Sequence, residues 1–338
     1  MHEVTGEVRG STFPKMIQET LIDEPAMQTP PDVSEPMPFP FNQRAFCRYE
    51  PIEKRIETAR VLVVDSLLRN EDDISDVARK EWGRSAASRL KREREIAGLA
   101  LNNILNNIGR LVQHPEMQVA HVSEVPAAVA EFQPQAIVLS GTLTDFDFYH
   151  ADILKNFASF VQQTQTPVLG ICGGHQLVGL SFGARITTLD NLEQSERRDG
   201  RINEYQYRFI RITAPDDPVF CGIDNDKSGV WQDYTKEARI LRVWQNHGLQ
   251  LDRVPEDFQL LATAYLCRNQ MMVKRSGGQL IYTVQFHLEK SFEDWNKDRA
   301  TRWEHPNESR DGRIIFENFL RESLVHVGAM KASCMVSV

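Results

Sequence analysis

The residues best placed to do chemistry are Gly170-Ile171-Cys172-Gly173-Gly174-His175-Gln176, a thiol framed by glycines. They follow the apolar run Pro167-Val168-Leu169 and precede residues able to start a helix, which is the arrangement of a nucleophile elbow. Gly170 and Gly174 remove side chains where strand and helix crowd together, so the strained turn is expected to push the thiol into solvent at the carboxyl edge of a sheet. The dipole and free amides of a helix N-terminus favour the thiolate, the reactive form of cysteine. The amide of Gly173 then points to where an oxyanion would form. Cys47, Cys221, Cys267 and Cys334 have no such frame, and an unframed cysteine is ordinarily a small buried hydrophobe.

A thiol nucleophile needs a base to move its proton and a carboxylate to hold the imidazole tautomer. Gln285-Phe286-His287-Leu288-Glu289 supplies both. The run Leu280 to Val284 carries His287 to a strand end, and the i, i+2 spacing puts His287 and Glu289 on one side of an extended segment. Among the other histidines, His175 points into a helix start, while His2, His305 and His326 fall in the extension, a polar loop and the last helix. His247 is the rival for the role.

The elements that must position these groups are legible in the texture of the chain. Val61-Leu62-Val63-Val64-Asp65 is a β-branched and aliphatic run typical of a strand buried on both faces of a parallel sheet. Apolar residues from Ile96 to Val112 recur at helical spacing, behind a stretch from Arg79 to Arg94 with seven Lys or Arg against two Glu. Strands are expected at 118–122, 135–139 and 167–171, with helical segments at 125–132 and 151–163 between and before them. That alternation predicts an α/β fold, a doubly wound, mostly parallel sheet flanked by helices. A smaller, antiparallel strand-rich section follows, with strands at 207–212, 240–244, 258–266, 270–274 and 279–286, and a closing helix at 312–325.

The whole chain has 338 residues, of which 41% are hydrophobic and 25% charged, the balance of an ordinary globular protein. Its net charge of −8 argues against a nucleic-acid partner, which requires an excess of Lys and Arg on one face. No stretch approaches the length of apolar chain that crosses a bilayer, and no apolar signal core is present, so a cytoplasmic protein without a membrane partner is expected. Five widely spaced cysteines without a C-x-x-C pair suit a reducing compartment and point to no metal. Residues 1–58 hold eight of the sixteen prolines and read as a Pro-rich N-terminal extension. The catalytic domain is expected over 59–327, with a tail at 328–338.

Together, Gly-Ile-Cys-Gly-Gly-His-Gln and Gln-Phe-His-Leu-Glu resemble, in that order, the signature pair of class I, triad-type glutamine amidotransferases. The likeness runs over roughly residues 60 to 325 and implies the flavodoxin-like fold of that family. Carried onto this sequence, it implies Cys172 as nucleophile, His287 as proton shuttle and Glu289 as its orienting acid. It further implies an oxyanion hole from the amides of Gly141 and Gly173, and substrate contacts from Gln176, Asn246, Gly248 and Leu249. The segment Gln245-Asn246-His247-Gly248-Leu249 resembles the family's clamp on the amino-acid end of glutamine. The reaction so implied proceeds through a cysteinyl thioester and needs no metal or organic cofactor. Two departures stand out. Leu288 replaces the usual proline, which should loosen the turn, and Gly141-Thr142-Leu143-Thr144-Asp145 replaces a Gly-Pro-Gly loop. Residues 66–95 and 290–310 look like insertions, the second bearing Phe292, Trp295 and Trp303.

Three readings follow. The chain lacks a G-x-x-x-x-G-K-[ST] loop, which favours a glutaminase that feeds ammonia to a separate synthetase partner. A stand-alone γ-glutamyl peptide or conjugate hydrolase or transferase would use the same thiol. A non-catalytic regulatory protein that kept the fold is the third.

Overall fold

In a computed structural model, residues 53–223, 240–290 and 310–331 are described. The Pro-rich segment up to residue 52, the segment bearing Phe292, Trp295 and Trp303, and the chain from residue 332 lie outside them, as do Cys47, Cys334, His2 and His305.

Strand β1 (Ile56–Asp65) owes its interior place to Val61, Leu62, Val63 and Val64, which are apolar on both faces and fully buried. It pairs in parallel with β2 (Val112–His121) on one side and β3 (Ala136–Leu139) on the other. β3 pairs with β4 (Val168–Ile171), and β4 with β11 (Ile281–Val284), again in parallel. The order 2-1-3-4-11 is that of a doubly wound sheet of flavodoxin type. Beyond β11 the sheet becomes antiparallel through β10 (Met271–Lys274), β9 (Gln259–Thr263), β6 (Glu204–Ile212) and β7 (Ile240–His247). A separate pair joins β5 (Ile186–Thr188) to β8 (Leu249–Leu251).

Helices α1 (Asp76–Trp82), α2 (Ala86–Leu111), α3 (Val125–Phe132), α4 (Ala151–Val161), α5 (Gly173–Ser181) and α6 (Arg310–His326) cover the sheet. One core packs Ile104, Ile108 and Leu111 of α2 with Ile315, Phe316 and Phe319 of α6 against one face. The other packs Trp82, Val125, Phe157 and Leu177 of α1, α3, α4 and α5 against the opposite face. Among the described residues no helix is long and apolar enough to cross a membrane.

Several expected boundaries move for physical reasons. α2 starts at Ala86 rather than Ile96, so the charged stretch is helix, and part of the supposed insertion is the first half of α2. Val112 leaves that helix to open β2, which also takes in Pro115. A proline is tolerated there because β2 is an edge strand whose free side needs no amide donor. α1, β5 and β8 are too short to carry a period and have no counterpart among the expected elements.

Candidate active site

The turn from β4 into α5 is sharp, and its backbone shows why the glycines are there. Cys172 caps α5 with φ 51° and ψ −103°, a region L residues rarely occupy, at a cost of about 1–3 kcal/mol. A Cβ on Gly170 would stand 2.7 Å from the Gly174 carbonyl oxygen, and one on Gly174 would stand 2.8 Å from Leu139 Cβ. Helix α5 therefore lies directly on β3 and β4. The Cys172 N–H donates to the Val284 carbonyl at 2.7 Å, which ties the elbow to β11.

The thiol does not reach open solvent as expected. Cys172 is only 5% exposed and lines a cavity of about 580 Å³. The loop after β3 lies against it. Ser140 is anchored by its N–H to the Val64 carbonyl and by its Oγ, which accepts from the Ser66 N–H at 3.0 Å. The next residue, Gly141, is so placed that a Cβ on it would lie 3.5 Å from both Cys172 Cβ and His287 Cε1. Thr142 then rests on Gly173, where any Cβ would collide with its hydroxyl and amide. The first amides of α5 have no carbonyl partner within the helix. Gly141 and Gly173 thus flank the thiol.

His287 arrives from the end of β11. Its N–H donates to the Trp244 carbonyl at 2.8 Å, and its Nδ1 lies 2.7 Å from Glu289 Oε1. The segment is a turn at Leu288 and Glu289 rather than extended chain, yet both side chains meet. Nor is the turn loosened by Leu288. That side chain is buried, and Gly312 of α6 approaches so closely that a Cβ there would stand 3.0 Å from Leu288 Cα. Burial alone would lower the imidazole pKa, but the Glu289 carboxylate and the Cys172 group beside it outweigh burial and raise it to about 10. Glu289 is itself buried. Burial pushes its carboxyl up, and the His287 charge more than reverses this, so its pKa falls below the ordinary value.

The rival histidines have structural partners. His247 is buried, with Nε2 3.1 Å from Glu204 Oε2 and Nδ1 3.0 Å from the Leu249 carbonyl. His175 is wholly buried, its Nδ1 is 2.8 Å from Thr283 Oγ1, and burial lowers its pKa to about 3. Cys267 is buried as well, its thiol facing the Asn269 carbonyl at 3.5 Å, and burial pushes that thiol up.

The model of the family Glutamine amidotransferase class-I matches residues 100–301. The chain belongs to that family. Among curated relatives, a glutamine-hydrolyzing GMP synthase subunit from Methanothermobacter thermautotrophicus is 22% identical over 64% of this chain and 90% of its own length. A glutamine-hydrolyzing GMP synthase from Edwardsiella ictaluri is 30% identical over 52% of this chain, which spans only 28% of that protein. A solved glutamine amidotransferase from Thermotoga maritima is 15% identical, with TM-score 0.45 over 79% of this chain and 98% of that one.

In this amidotransferase the cavity also brings together Gln176, Asn246, Gly248 and Leu249, which the sequence had assigned to substrate. Asn246 is exposed there, and Gly248 leaves room for Asn203 Oδ1, which would collide with any Cβ at that position. The opposite wall was not foreseen. Arg198 donates to Asp145 at 2.9 Å, Asp147 at 2.6 Å and Glu81 of α1 at 3.1 Å, with its guanidinium 4.0 Å over the Phe148 ring. Arg201 grips Asp145 through both carboxylate oxygens. Two further supports come from α2. Asn107 Nδ2 donates to the Glu289 carbonyl at 2.7 Å, and Glu93 accepts from the Thr144 hydroxyl. Burial raises the Glu93 carboxyl pKa. The available signal was their place on the apolar stripe Leu90, Glu93, Ala97, Ile104, Asn107, Ile108, Leu111.

Proposed function

We propose that this chain hydrolyses the side-chain amide of glutamine at Cys172 and supplies the ammonia to a separate synthetase. The observation that carries this reading is the strained Cys172 elbow in a cavity beside the buried His287–Glu289 pair. The Cys172 sulfur attacks the amide carbon, and the oxygen anion that forms is held by the amides of Gly141 and Gly173. An imidazole protonated at neutrality, as the raised pKa of His287 favours, gives its proton to the departing ammonia and leaves a cysteinyl thioester. His287 then takes a proton from water, whose oxygen attacks the thioester, and glutamate leaves. Gln176 contacts the substrate, and Asn246, Gly248 and Leu249 hold its amino-acid end. The glutamine-hydrolyzing names of the relatives favour this substrate.

We assign the catalytic unit to residues 59–327, with 1–58 as an extension and 328–338 as a tail. The setting is a reducing cytoplasm, in keeping with the free thiols of Cys172, Cys221 and Cys267. One feature favours a second reading: the cavity, about 580 Å³, extends past the amino-acid clamp to Arg198, Arg201 and Tyr205. A γ-glutamyl conjugate would fill that space.

The test is glutamine-dependent ammonia release, together with covalent labelling of Cys172 by a glutamine-mimicking electrophile. Both are expected. Absence of both, with and without candidate synthetases, refutes the enzyme reading and leaves the regulatory one. Cleavage of γ-glutamyl peptides with far higher kcat/KM than glutamine replaces the amidotransferase by the hydrolase.

A further inference from the structure

Behind the Cys172 sulfur runs a chain of side-chain amides that the mechanism above leaves unused. It begins at the Leu249 carbonyl, which accepts from Gln176 Nε2 at 3.0 Å. The same Nε2 donates to Gln285 Oε1 at 3.1 Å. Gln285 Nε2 in turn donates to Cys172 Sγ at 3.7 Å, within the longer reach of a hydrogen bond to sulfur. Gln285 is fully buried, Gln176 nearly so, and the Gln285 N–H is held by the Gln270 carbonyl at 2.9 Å.

The sense of this chain is dictated from its far end. A backbone carbonyl can only accept, so Gln176 must turn its NH₂ toward Leu249, and that NH₂ then faces Gln285. Gln285 must answer with its oxygen, which leaves its own NH₂ for the sulfur. A donor to sulfur binds thiolate more strongly than neutral thiol, since hydrogen bonds to charged groups are the stronger ones. Linked bonds between buried groups also polarise one another. With both Gln176 donors spent inside the protein, only its Oε1 is left to meet substrate.

We propose that Gln285 is a catalytic residue that stabilises the Cys172 thiolate through its Nε2–H, with Gln176 as the positioning residue that fixes its orientation. The proposal rests on the thiol chemistry assigned above. The donor acts twice, when the thiolate attacks and when it is expelled as the thioester breaks. The titratable groups that face the sulfur are His287, with Glu289 behind it, and Cys267 within electrostatic range.

The test is alkylation of the full-length chain by iodoacetamide, followed at the Cys172 peptide by mass spectrometry. Gln285→Met keeps length and burial but has no N–H. Near neutrality Cys172 should alkylate roughly tenfold more slowly, the effect of losing one hydrogen bond to a charged group. Equal rates near neutrality overturn the proposal. Gln285→Glu, which keeps the acceptor for Gln176 but turns a carboxylate to the sulfur, should slow alkylation further, and a rate at or above wild type also overturns it. If circular dichroism shows Gln285→Met unfolded, Gln176→Met is read the same way. It frees the Gln285 amide to turn, so a smaller slowing is expected and no change refutes. A native chain that cleaves no glutamine while Gln285→Met still alkylates slowly refutes the proposed function and not this inference. Glutamine cleavage with equal alkylation does the reverse.

Discussion

Replacing Glu289 by Gln keeps the shape of the site and removes one charge from the buried pair. The rise of the His287 pKa from 6.5 to about 10 occurs against burial, so the carboxylate and the Cys172 group supply all of it. At about 1.4 kcal/mol per pH unit, the rise is worth ~5 kcal/mol, and the Glu289 charge is the largest single cause of it. Breaking buried pairs costs about 3–5 kcal/mol, which agrees. A base whose folded pKa is raised contributes stability that is complete below its unfolded pKa of 6.5 and is lost as pH climbs through 10. The lowered pKa of Glu289 contributes from the same interaction, present above its ordinary 4.5 and lost as pH falls below it. Urea denaturation of wild type and Glu289→Gln should therefore show a deficit of about 3 kcal/mol at about pH 6 that shrinks steadily toward pH 10. A deficit that stays constant or widens over that interval refutes the assignment of the His287 shift to Glu289.

Cys172→Ala should abolish glutamine turnover while its melting midpoint stays within the range of an ordinary single substitution, about 1 kcal/mol; residual turnover rejects the nucleophile. Gly174→Ala puts a Cβ 2.8 Å from Leu139 Cβ and should cost about 1–3 kcal/mol in denaturation experiments, with ammonia release falling as the elbow shifts. Asn107→Leu strips the Glu289 carbonyl of its donor, and a loss of about 1–3 kcal/mol with reduced kcat is expected; unchanged kcat shows the support to be idle. Arg198→Ala frees Glu81 and Asp147 and leaves Asp145 to Arg201 alone, and kcat/KM should drop roughly tenfold to a hundredfold as the loop bearing Gly141 moves, with thermal stability as the control.

What the sequence disclosed divides along a physical line. Residues 61–65 and 167–171 read as buried parallel strands because both faces of such a strand must be apolar, and both are interior strands paired in parallel on each side. Gly170, Cys172 and Gly174 were legible because steric exclusion at the elbow leaves glycine as the only residue that fits, and the Cβ positions bear this out. The start of α2 was not legible, since an amphipathic period is drowned where the stripe carries Glu93 among exposed Arg and Lys. Nor was the depth of the thiol. It depends on Arg198 and Arg201 meeting Asp145 from more than fifty residues away, and ion pairs leave no periodic trace.

The unread parts share one element. Helix α2 touches the site twice, through Glu93 on Thr144 and through Asn107 on the Glu289 carbonyl. At 1.5 Å of rise per residue these grips lie about 20 Å apart on one rigid rod. Thr144 belongs to the loop that presents Gly141, and Glu289 to the turn that orients His287. A rod fixed at both ends sets the distance between the proposed oxyanion donors and the proposed proton shuttle more firmly than either loop can alone. That offers a reason for keeping a buried carboxyl and a buried amide on a stripe where Leu would pack better. Their value lies in geometry across the cavity, where an error of about 1 Å costs far more in rate than the stability gained by an apolar replacement.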